Sequence, residues 1–353
     1  MAVKLKDVAA HAGVSAQTVS NVIRGKHARV GDDTRRQVLA AIEALGYRPN
    51  AAARSLRQAR IGLIALAIPD LVNPYYADLG HTIVAEAAAY GYTVLLDHTR
   101  FDRTSEFQII SGLGSPAIDG VILDLQLLEQ MDLQAQPPRM PLVLLGEHLL
   151  DAPYDHVAID NVAAAHGATR HLLGMRRRRI AAIGVDRRKA DGAAMLRLRG
   201  FLQALEEAGQ AADPALLLHC DEWHRTGGAQ AMRRLLALAE PPDAVFCFND
   251  LLAIGAMRAL HEAGYRIPHD VAVVGFDDIE EGHFATPSLT TISPAKAEIG
   301  RLAVELLMSR IDGSRNGPPE RIEPQFTLRV RESTGPIQDI VTAERETVRN
   351  RER

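Results

Sequence analysis

The 353-residue sequence is poor in cysteine and tryptophan, with two of the first and one of the second. Cys220 and Cys247 both lie in apolar segments, which favours buried reduced thiols over a disulfide and is typical of a cytoplasmic protein. No apolar run reaches the roughly eighteen residues of a membrane span. The N-terminus also lacks the pattern of a signal peptide. These absences argue against membrane insertion and against export.

The sequence also lacks the patterns that nucleotide-dependent and metal-dependent enzymes need. Neither a GxxxxGK[ST] loop nor a well-placed GxGxxG loop is present to hold phosphate, and no nucleophile–base pair stands out. The histidines are scattered without the spacing of metal ligands. We therefore expect no metal and no other cofactor, and we disfavour an α/β enzyme such as a sugar kinase.

Charge is distributed unevenly along the chain. Residues 1–60 contain eleven Lys and Arg against four Asp and Glu, whereas the whole chain has a net charge of −4. A basic N-terminal segment on an acidic body confines the contact with a polyanion to that segment, because Lys and Arg supply phosphate contacts. This disfavours a second alternative, an exported sugar-binding protein without a role on DNA.

The segment DVAAHAGVSAQTVSNVI at 7–23 predicts two short helices around a tight turn. Apolar residues recur at spacings of three and four, Gly13 tolerates a positive φ at the turn, and Ser15 suits the N-cap of the second helix. A third helix is predicted after Gly31. The order is that of a helix-turn-helix unit, and the second helix is the recognition candidate because Gln17 and Asn21 can each pair bidentately with adenine.

Several segments resemble the lactose/galactose repressor family of bacterial transcription regulators. They are the segment at 7–23, TRRQVLAAIEALGYRPNAAARSL, IGLIALAIPDLVNPYYADL, GFDD near 275 and PSLTTI at 287–292. The resemblance covers roughly residues 3–335. It implies a helix-turn-helix headpiece at 1–48, a hinge helix at 49–59 and a core at 60–335 that is shaped like periplasmic sugar-binding proteins. The charged tail at 336–353 has no sustained apolar heptads, and we expect it to be disordered.

The same resemblance implies how the hinge contacts DNA. Leu56 would wedge into a central base step of the minor groove, Ala53 would lie close to the DNA, and Arg54 and Arg57 would offset phosphate charge. We predict a palindromic operator with a central CG step, bound by a homodimer because one headpiece reads only a half-site. The predicted DNA-binding residues are Lys6, Ser15, Ala16, Gln17, Thr18, Ser20, Asn21, Arg24, Asn50, Ala53, Arg54, Leu56 and Arg57.

After residue 60, apolar runs alternate with amphipathic stretches. The runs read as buried parallel strands and the stretches as crossover helices, which predicts an α/β core of two doubly wound parallel-sheet subdomains. The predicted first lobe is about 60–159 and 290–321, and the second is about 161–288 and 324–335. The chain would cross between the lobes near 160–161, 290–293 and 321–324.

Polar and aromatic residues at the predicted strand ends are candidates for an effector site. By the resemblance and by position they are Tyr75, Tyr76, Asp124, Glu147, Arg197, Trp223, Asn249 and Asp277. Hydroxyl groups both donate and accept hydrogen bonds, so this set favours a sugar or sugar derivative, with a purine or nucleoside as second choice. Asp250 reads instead as an N-cap. An effector bound between the lobes would bias the lobe angle, and with it hinge folding and operator affinity.

Overall fold

The computed structural model describes residues 3–23, 30–47, 60–112, 118–186 and 192–335. The chain divides into two compact units, Met1–Ile61 and Gly62–Arg353. The predicted hinge helix at 49–59 and the charged tail at 336–353 lie outside the described residues, as does Arg24. The hinge helix, the disordered tail and the role of Arg24 therefore stay predictions.

The described part of the N-terminal unit contains three helices, Leu5–His11 (α1), Ala16–Ile23 (α2) and Asp32–Ala44 (α3). Each helix contributes one completely buried valine: Val8, Val19 and Val38. Apolar residues recur at helical spacing on each segment, so one face of every helix packs into a shared core. This is the three-helix arrangement that the sequence predicted.

Local chemistry sets the turn before α2. Gly13 has a φ of +61°, a conformation that costs a glycine little and other residues more. The backbone N–H of Thr18 donates to Ser15 Oγ at 3.0 Å, which makes Ser15 the N-cap of α2. Both predictions for this turn are confirmed, because neither depends on distant parts of the chain.

The second unit contains two six-stranded sheets. Its strands are Leu63–Ile68 (β1), Thr93–His98 (β2), Gly120–Asp124 (β3), Leu142–Leu145 (β4), Asp155–Val157 (β5), Ile180–Val185 (β6), Leu217–His219 (β7), Ala244–Cys247 (β8), Ala272–Phe276 (β9), Thr290–Ser293 (β10), Arg321–Ile322 (β11) and Thr327–Arg329 (β12). The first sheet has the order β11-β5-β4-β3-β1-β2 and is wholly parallel. The second has the order β12-β10-β9-β8-β6-β7, in which β12 is antiparallel to β10.

Helices cover both faces of these sheets. They are Pro74–Ala89 (α4), Arg103–Ile110 (α5), Gln130–Ala135 (α6), Asn161–Gly174 (α7), Ala193–Glu207 (α8), Arg225–Leu236 (α9), Asp250–Glu262 (α10), Glu280–His283 (α11) and Lys296–Asp312 (α12), with short 3-10 helices at Pro214–Leu216 and Glu332–Thr334. Successive residues of β1 point to opposite faces of the sheet. Leu66 belongs to the same core as Leu79 of α4, and Ala67 belongs to the same core as Ile109 of α5. The predicted fold class, a helix-turn-helix headpiece with two doubly wound subdomains, is confirmed.

Three segments carry the chain between the two lobes, at 158–160, 294–295 and 323–326. The prediction that the first lobe resumes at 290 is wrong, because β10 pairs with β9 and so belongs to the second sheet. The return occurs after Ser293, and α12 then packs against β3, β4 and β5 of the first lobe. The strand's apolar pattern could not reveal this, since either sheet would have buried it equally well.

Candidate functional site

Helix α2 presents a row of short polar side chains. Ser15, Ala16 and Gln17 are exposed, and Thr18, Ser20 and Asn21 are partly exposed. Gln17 Nε2 donates to Asn21 Oδ1 at 3.1 Å, one helical turn away. The two amides therefore orient each other and can present a donor and an acceptor to a base edge as one unit. Predicted contact Lys6 is exposed on α1.

The second candidate site lies between the lobes, at the carboxyl ends of the strands. Four of the eight predicted effector residues line one cavity: Tyr75, Glu147, Arg197 and Asp277. The cavity is also lined by Leu145, Gly146, Val157, Ala158, Ile159, Phe276, Pro294 and Ile299. The free space among these side chains is about 20 Å³, room for little more than a water molecule.

Arg197 is the buried cation of this cleft. Its Nε donates to Asn161 Oδ1 at 2.6 Å, and its Nη1 donates to the backbone carbonyl of Phe248. The guanidinium carbon lies 3.5 Å from the centroid of the Phe276 ring, as in a stacked cation–π pair. Helix α8 carries Arg197 and helix α7 carries Asn161, so the packing of these two helices positions the charge.

The carboxyl groups of Glu147 and Asp277 lie near this cation, and that of Asp124 lies near Glu147. Asn161 Nδ2 donates to Glu147 Oε1 at 2.5 Å, which links Glu147 to Arg197 through one amide. Burial raises the pKa of Glu147, and Arg197 opposes that rise. Burial and the neighbouring Glu147 raise the pKa of Asp124 well above its usual range. Burial raises the pKa of Asp277 to about 7, although Arg197 and Lys296 favour its charged form. Such acids can donate as well as accept hydrogen bonds.

The raised pKa of Asp277 predicts a pH-dependent stability. The folded protein holds the proton of the Asp277 carboxyl group more tightly than the unfolded chain does. The stability that this proton contributes is therefore fully present below the ordinary pKa of aspartate and is lost as pH rises through about 7. We expect urea unfolding to show a smaller loss of stability between about pH 5 and about pH 8 in Asp277→Asn than in the parent protein. Arg266 lowers the pKa of Asp270, so Asp270→Asn should behave as the parent does in this range. If the free energy of unfolding fell by the same amount between these pH values in the parent and in Asp277→Asn, the prediction would be wrong.

The remaining predicted residues surround the cavity without lining it. Tyr76 packs edge-on against Tyr75 with ring centroids 5.1 Å apart. Burial raises the pKa of both phenols well above the usual value. Trp223 lies 5.8 Å from the Arg197 guanidinium carbon and packs edge-on against Phe248. Asp124 accepts a hydrogen bond from Gln126 Nε2.

Asn249 and Asp250 have structural roles that the sequence did not predict. Asn249 Oδ1 accepts the N–H of Leu252 at 2.8 Å, so Asn249 is the N-cap of α10, and its Nδ2 donates to the Trp223 carbonyl at 2.9 Å. Asp250 was expected to be that cap, and this expectation is wrong. Its buried carboxylate instead accepts from Thr291 Oγ1 at 2.6 Å and from the N–H of Ile279 at 2.9 Å. Asn249 therefore positions the Trp223 loop.

Sequence reasoning missed three residues of the site. Asn161 and Phe276 hold Arg197 directly; Asn161 lies at the predicted crossover near 160–161, and Phe276 directly precedes Asp277. Glu106 lies on the apolar face of α5 and is completely buried. Its carboxylate accepts the backbone N–H groups of 126–128 at 2.9–3.0 Å and so anchors the loop that carries Gln126 to Asp124. The sequence signal for Glu106 was an acidic residue at helical spacing from the apolar Ile109 and Ile110.

Two kinds of site are absent from the described residues. Within the five described ranges, no group of three or more His, Cys, Asp or Glu is placed to hold a metal ion. No helix in that part of the chain combines the length and apolar character needed to cross a membrane.

Comparison with known proteins identifies the family. Residues 4–50 match the model of bacterial regulatory proteins of the lacI family, and residues 169–334 match that of a periplasmic binding protein-like domain. The transcriptional repressor PurR of Mannheimia succiniciproducens is 33% identical over 335 residues, which are 94% of this chain and 99% of that protein. The chain belongs to the lacI family. As a member it is a DNA-binding transcriptional regulator with a small-molecule effector, and it is not an enzyme.

Solved lacI-family structures have the same architecture. The CelR–cellobiose complex is 32% identical with a TM-score of 0.70, and the alignment covers 94% of this chain and 99% of that one. The lac repressor dimer, bound to its operator and the anti-inducer ONPF, is 27% identical with a TM-score of 0.81 over 95% of this chain and 100% of that one. The resemblance read from the sequence is thereby confirmed.

Proposed function

We propose that this lacI-family member is a homodimeric repressor of the cytoplasm whose effector is a sugar or sugar derivative. The observation that carries the effector class is the buried Arg197 beside the carboxyl groups of Glu147 and Asp277, with Asp124 next to Glu147. The raised pKa values let Asp124, Glu147 and Asp277 act as donors or acceptors, which matches the two roles of each sugar hydroxyl. The likeness to the cellobiose-bound CelR supports this choice.

A purine or nucleoside is the second candidate, because the cavity has the aromatic side chains Tyr75 and Phe276. A planar base would stack on such a ring. Arg197 already covers one face of Phe276 at 3.5 Å, however, so a base would need a different stacking partner. Thermal unfolding of the full chain with a panel of sugars, sugar phosphates, polyols and nucleosides tests the two classes. Stabilisation by nucleosides alone would overturn the sugar proposal.

On the DNA side, the polar row of α2 would read the major groove and the hinge would read the minor groove. Ser15 also caps α2, so its contribution includes fixing where the helix starts. Gln17 and Asn21 would act together through their mutual hydrogen bond. Asn50, Ala53, Arg54, Leu56 and Arg57, like Arg24, keep the roles that the family resemblance implies.

An exposed apolar edge supports pairing with a second copy. Strand β2 is the last strand of the first sheet, and its Leu95 and Leu96 are exposed. Val84 and Tyr90, on and just after the adjoining helix α4, are exposed as well. Exposed apolar side chains on a sheet edge are typical of an interaction surface. A dimer would bring two headpieces to the two half-sites of an operator.

Selection from random duplexes with the full chain should yield a palindrome with a central CG step. On that duplex, Leu56→Ala should weaken binding markedly, because a smaller side chain cannot stabilise the kinked base step. Gln37→Ala, on the exposed face of α3, should bind as the parent does. The affinity should also fall steeply with salt. Full affinity of Leu56→Ala in gel shifts would exclude the wedge.

A further inference from the structure

An ion pair between Asp70 and His224 joins the two lobes across the cleft. Asp70 lies two residues after β1 of the first lobe, and His224 directly precedes α9 of the second. His224 Nε2 lies 2.9 Å from Asp70 Oδ2, and the side chains are 34% and 15% exposed. Neither residue lines the cavity described above. The pair is therefore a contact between lobes that is separate from the candidate effector contacts.

The first lobe holds Asp70 in place. Its other carboxylate oxygen, Oδ1, accepts the backbone N–H of Val72 at 2.9 Å, so both oxygens are engaged. The chain then reaches Asn73, which caps α4 by accepting the N–H of Tyr75 at 3.1 Å. Asp70 is thus fixed to the same short segment that positions Tyr75 in the cavity.

The second lobe holds the backbone of His224. Its carbonyl accepts the N–H of Gly228 at 3.1 Å, and the preceding carbonyl of Trp223 accepts Asn249 Nδ2 at 2.9 Å. The loop is tight, since a Cβ on Gly227 would lie 2.3 Å from the Glu222 carbonyl oxygen. Because the Asp70 carboxylate and the His224 backbone are each held within their own lobes, the 2.9 Å contact limits the lobe separation to the reach of the His224 side chain.

The ion pair lies far from the segments at which the chain crosses between the lobes. The crossover strands β5 and β11 lie at one edge of the first sheet, and β10 and β12 lie at one edge of the second. Asp70 follows β1, next to the opposite edge of its sheet, and His224 follows β7, which is the opposite edge of the other. A rotation about the crossover segments therefore separates the ion pair more than it separates groups near the crossovers.

We propose that Asp70 and His224 form a latch that holds the lobes at this angle and must open to admit an effector. The inference rests on the proposed function, because it assigns regulation to the same cleft. The free space of about 20 Å³ is far below the roughly 300 Å³ of a small-molecule site, so entry requires the lobes to part. The free energy needed to open the latch lowers the apparent affinity for an effector. Loss of the latch raises the population of the open form.

Pulsed electron paramagnetic resonance on the full chain tests the latch without an effector or DNA. Spin labels at Gln130→Cys on α6 and Gln230→Cys on α9 occupy exposed sites in the two lobes, whereas both native cysteines are buried. Excess unlabelled chain restricts the signal to distances within one protomer. Asp70→Ala and His224→Ala should each shift the distribution to longer distances, and the double variant should shift it no further than either one.

A matched control removes a His–Asp pair that lies within one lobe. His219 Nε2 lies 3.0 Å from Asp221 Oδ1, so Asp221→Ala should leave the distances unchanged. His224→Gln keeps a side-chain donor and should restore the parent distribution, which separates a lost contact from a misfolded loop. Unchanged distances in the single variants, or an equal shift in Asp221→Ala, would overturn the latch. Because no ligand is used, that outcome would not contradict the proposed effector class. Conversely, a ligand panel in which no compound stabilises the protein would not contradict the distance measurement.

Discussion

Replacing Arg197 with alanine is expected to remove at least about half of the stabilisation that an effector confers. An effector at about a hundred times its Kd should add ~2.7 kcal/mol to the free energy of unfolding. Arg197 is the buried cation that Asn161, the Phe248 carbonyl and the Phe276 ring hold in the cleft. Charged hydrogen bonds contribute roughly 1.5–3 kcal/mol each, so the affinity should fall by at least about tenfold. Thermal or urea unfolding with each compound of the ligand panel measures this.

Two further variants sharpen the result. Arg197→Lys should recover little, because an ammonium group cannot reproduce the planar fork that binds Asn161 and stacks on Phe276. Arg199→Ala, on the exposed face of the same helix, should retain the full response. Undiminished stabilisation of Arg197→Ala by a compound that stabilises the parent would mean that the compound binds elsewhere.

Adding one methyl group at Gly200 is expected to destabilise the second lobe. Helices α7 and α8 approach so closely that a Cβ at this position would lie 2.1 Å from the Val162 carbonyl oxygen and 2.9 Å from the His166 nitrogen. Both atoms belong to the backbone, so the helices must move apart. Overpacking of this kind costs about 1–3 kcal/mol. Urea unfolding of Gly200→Ala should show that loss, and the shifted α8 should also weaken effector binding through Arg197.

Gly167→Ala on the facing helix is the matched control. A Cβ there meets no atom within 4 Å, and alanine is a better helix former than glycine. This variant should therefore gain up to about 1 kcal/mol. The two substitutions are chemically identical and differ only in their surroundings. A loss of similar size in both would refute the close approach of α7 and α8 as the cause.

The headpiece was predictable because its determinants are local. Gly13, Ser15 and the apolar spacing of Val8 and Val19 act within a few residues of each other, and the structure has the turn, the cap and the core in those places. The buried strands were also predictable, because each is an apolar run in the sequence. Residues after such strands converge on one edge of a parallel sheet, which is why Tyr75, Glu147, Arg197 and Asp277 could be chosen together.

Roles that depend on distant partners were not predictable. Strand β10 could have joined either sheet, and Asp250 could have capped α10, until the pairing with β9 and the bond to Thr291 decided both. Asn161, Phe276 and Glu106 gained their roles in the same way, through contacts with residues far away in the chain.

The sequence by itself determined the family, the helix-turn-helix, the alternation of strands and helices, and the residue types available at the strand ends. Helical periodicity, capping and burial of apolar runs operate over short distances, so the order of residues encodes them directly. Tertiary structure alone decided which carboxyl groups share the cleft with Arg197, how far their pKa values rise, and that Asp70 meets His224. Those properties depend on burial and on distances between separate segments, which exist only once both sheets and their crossovers have assembled.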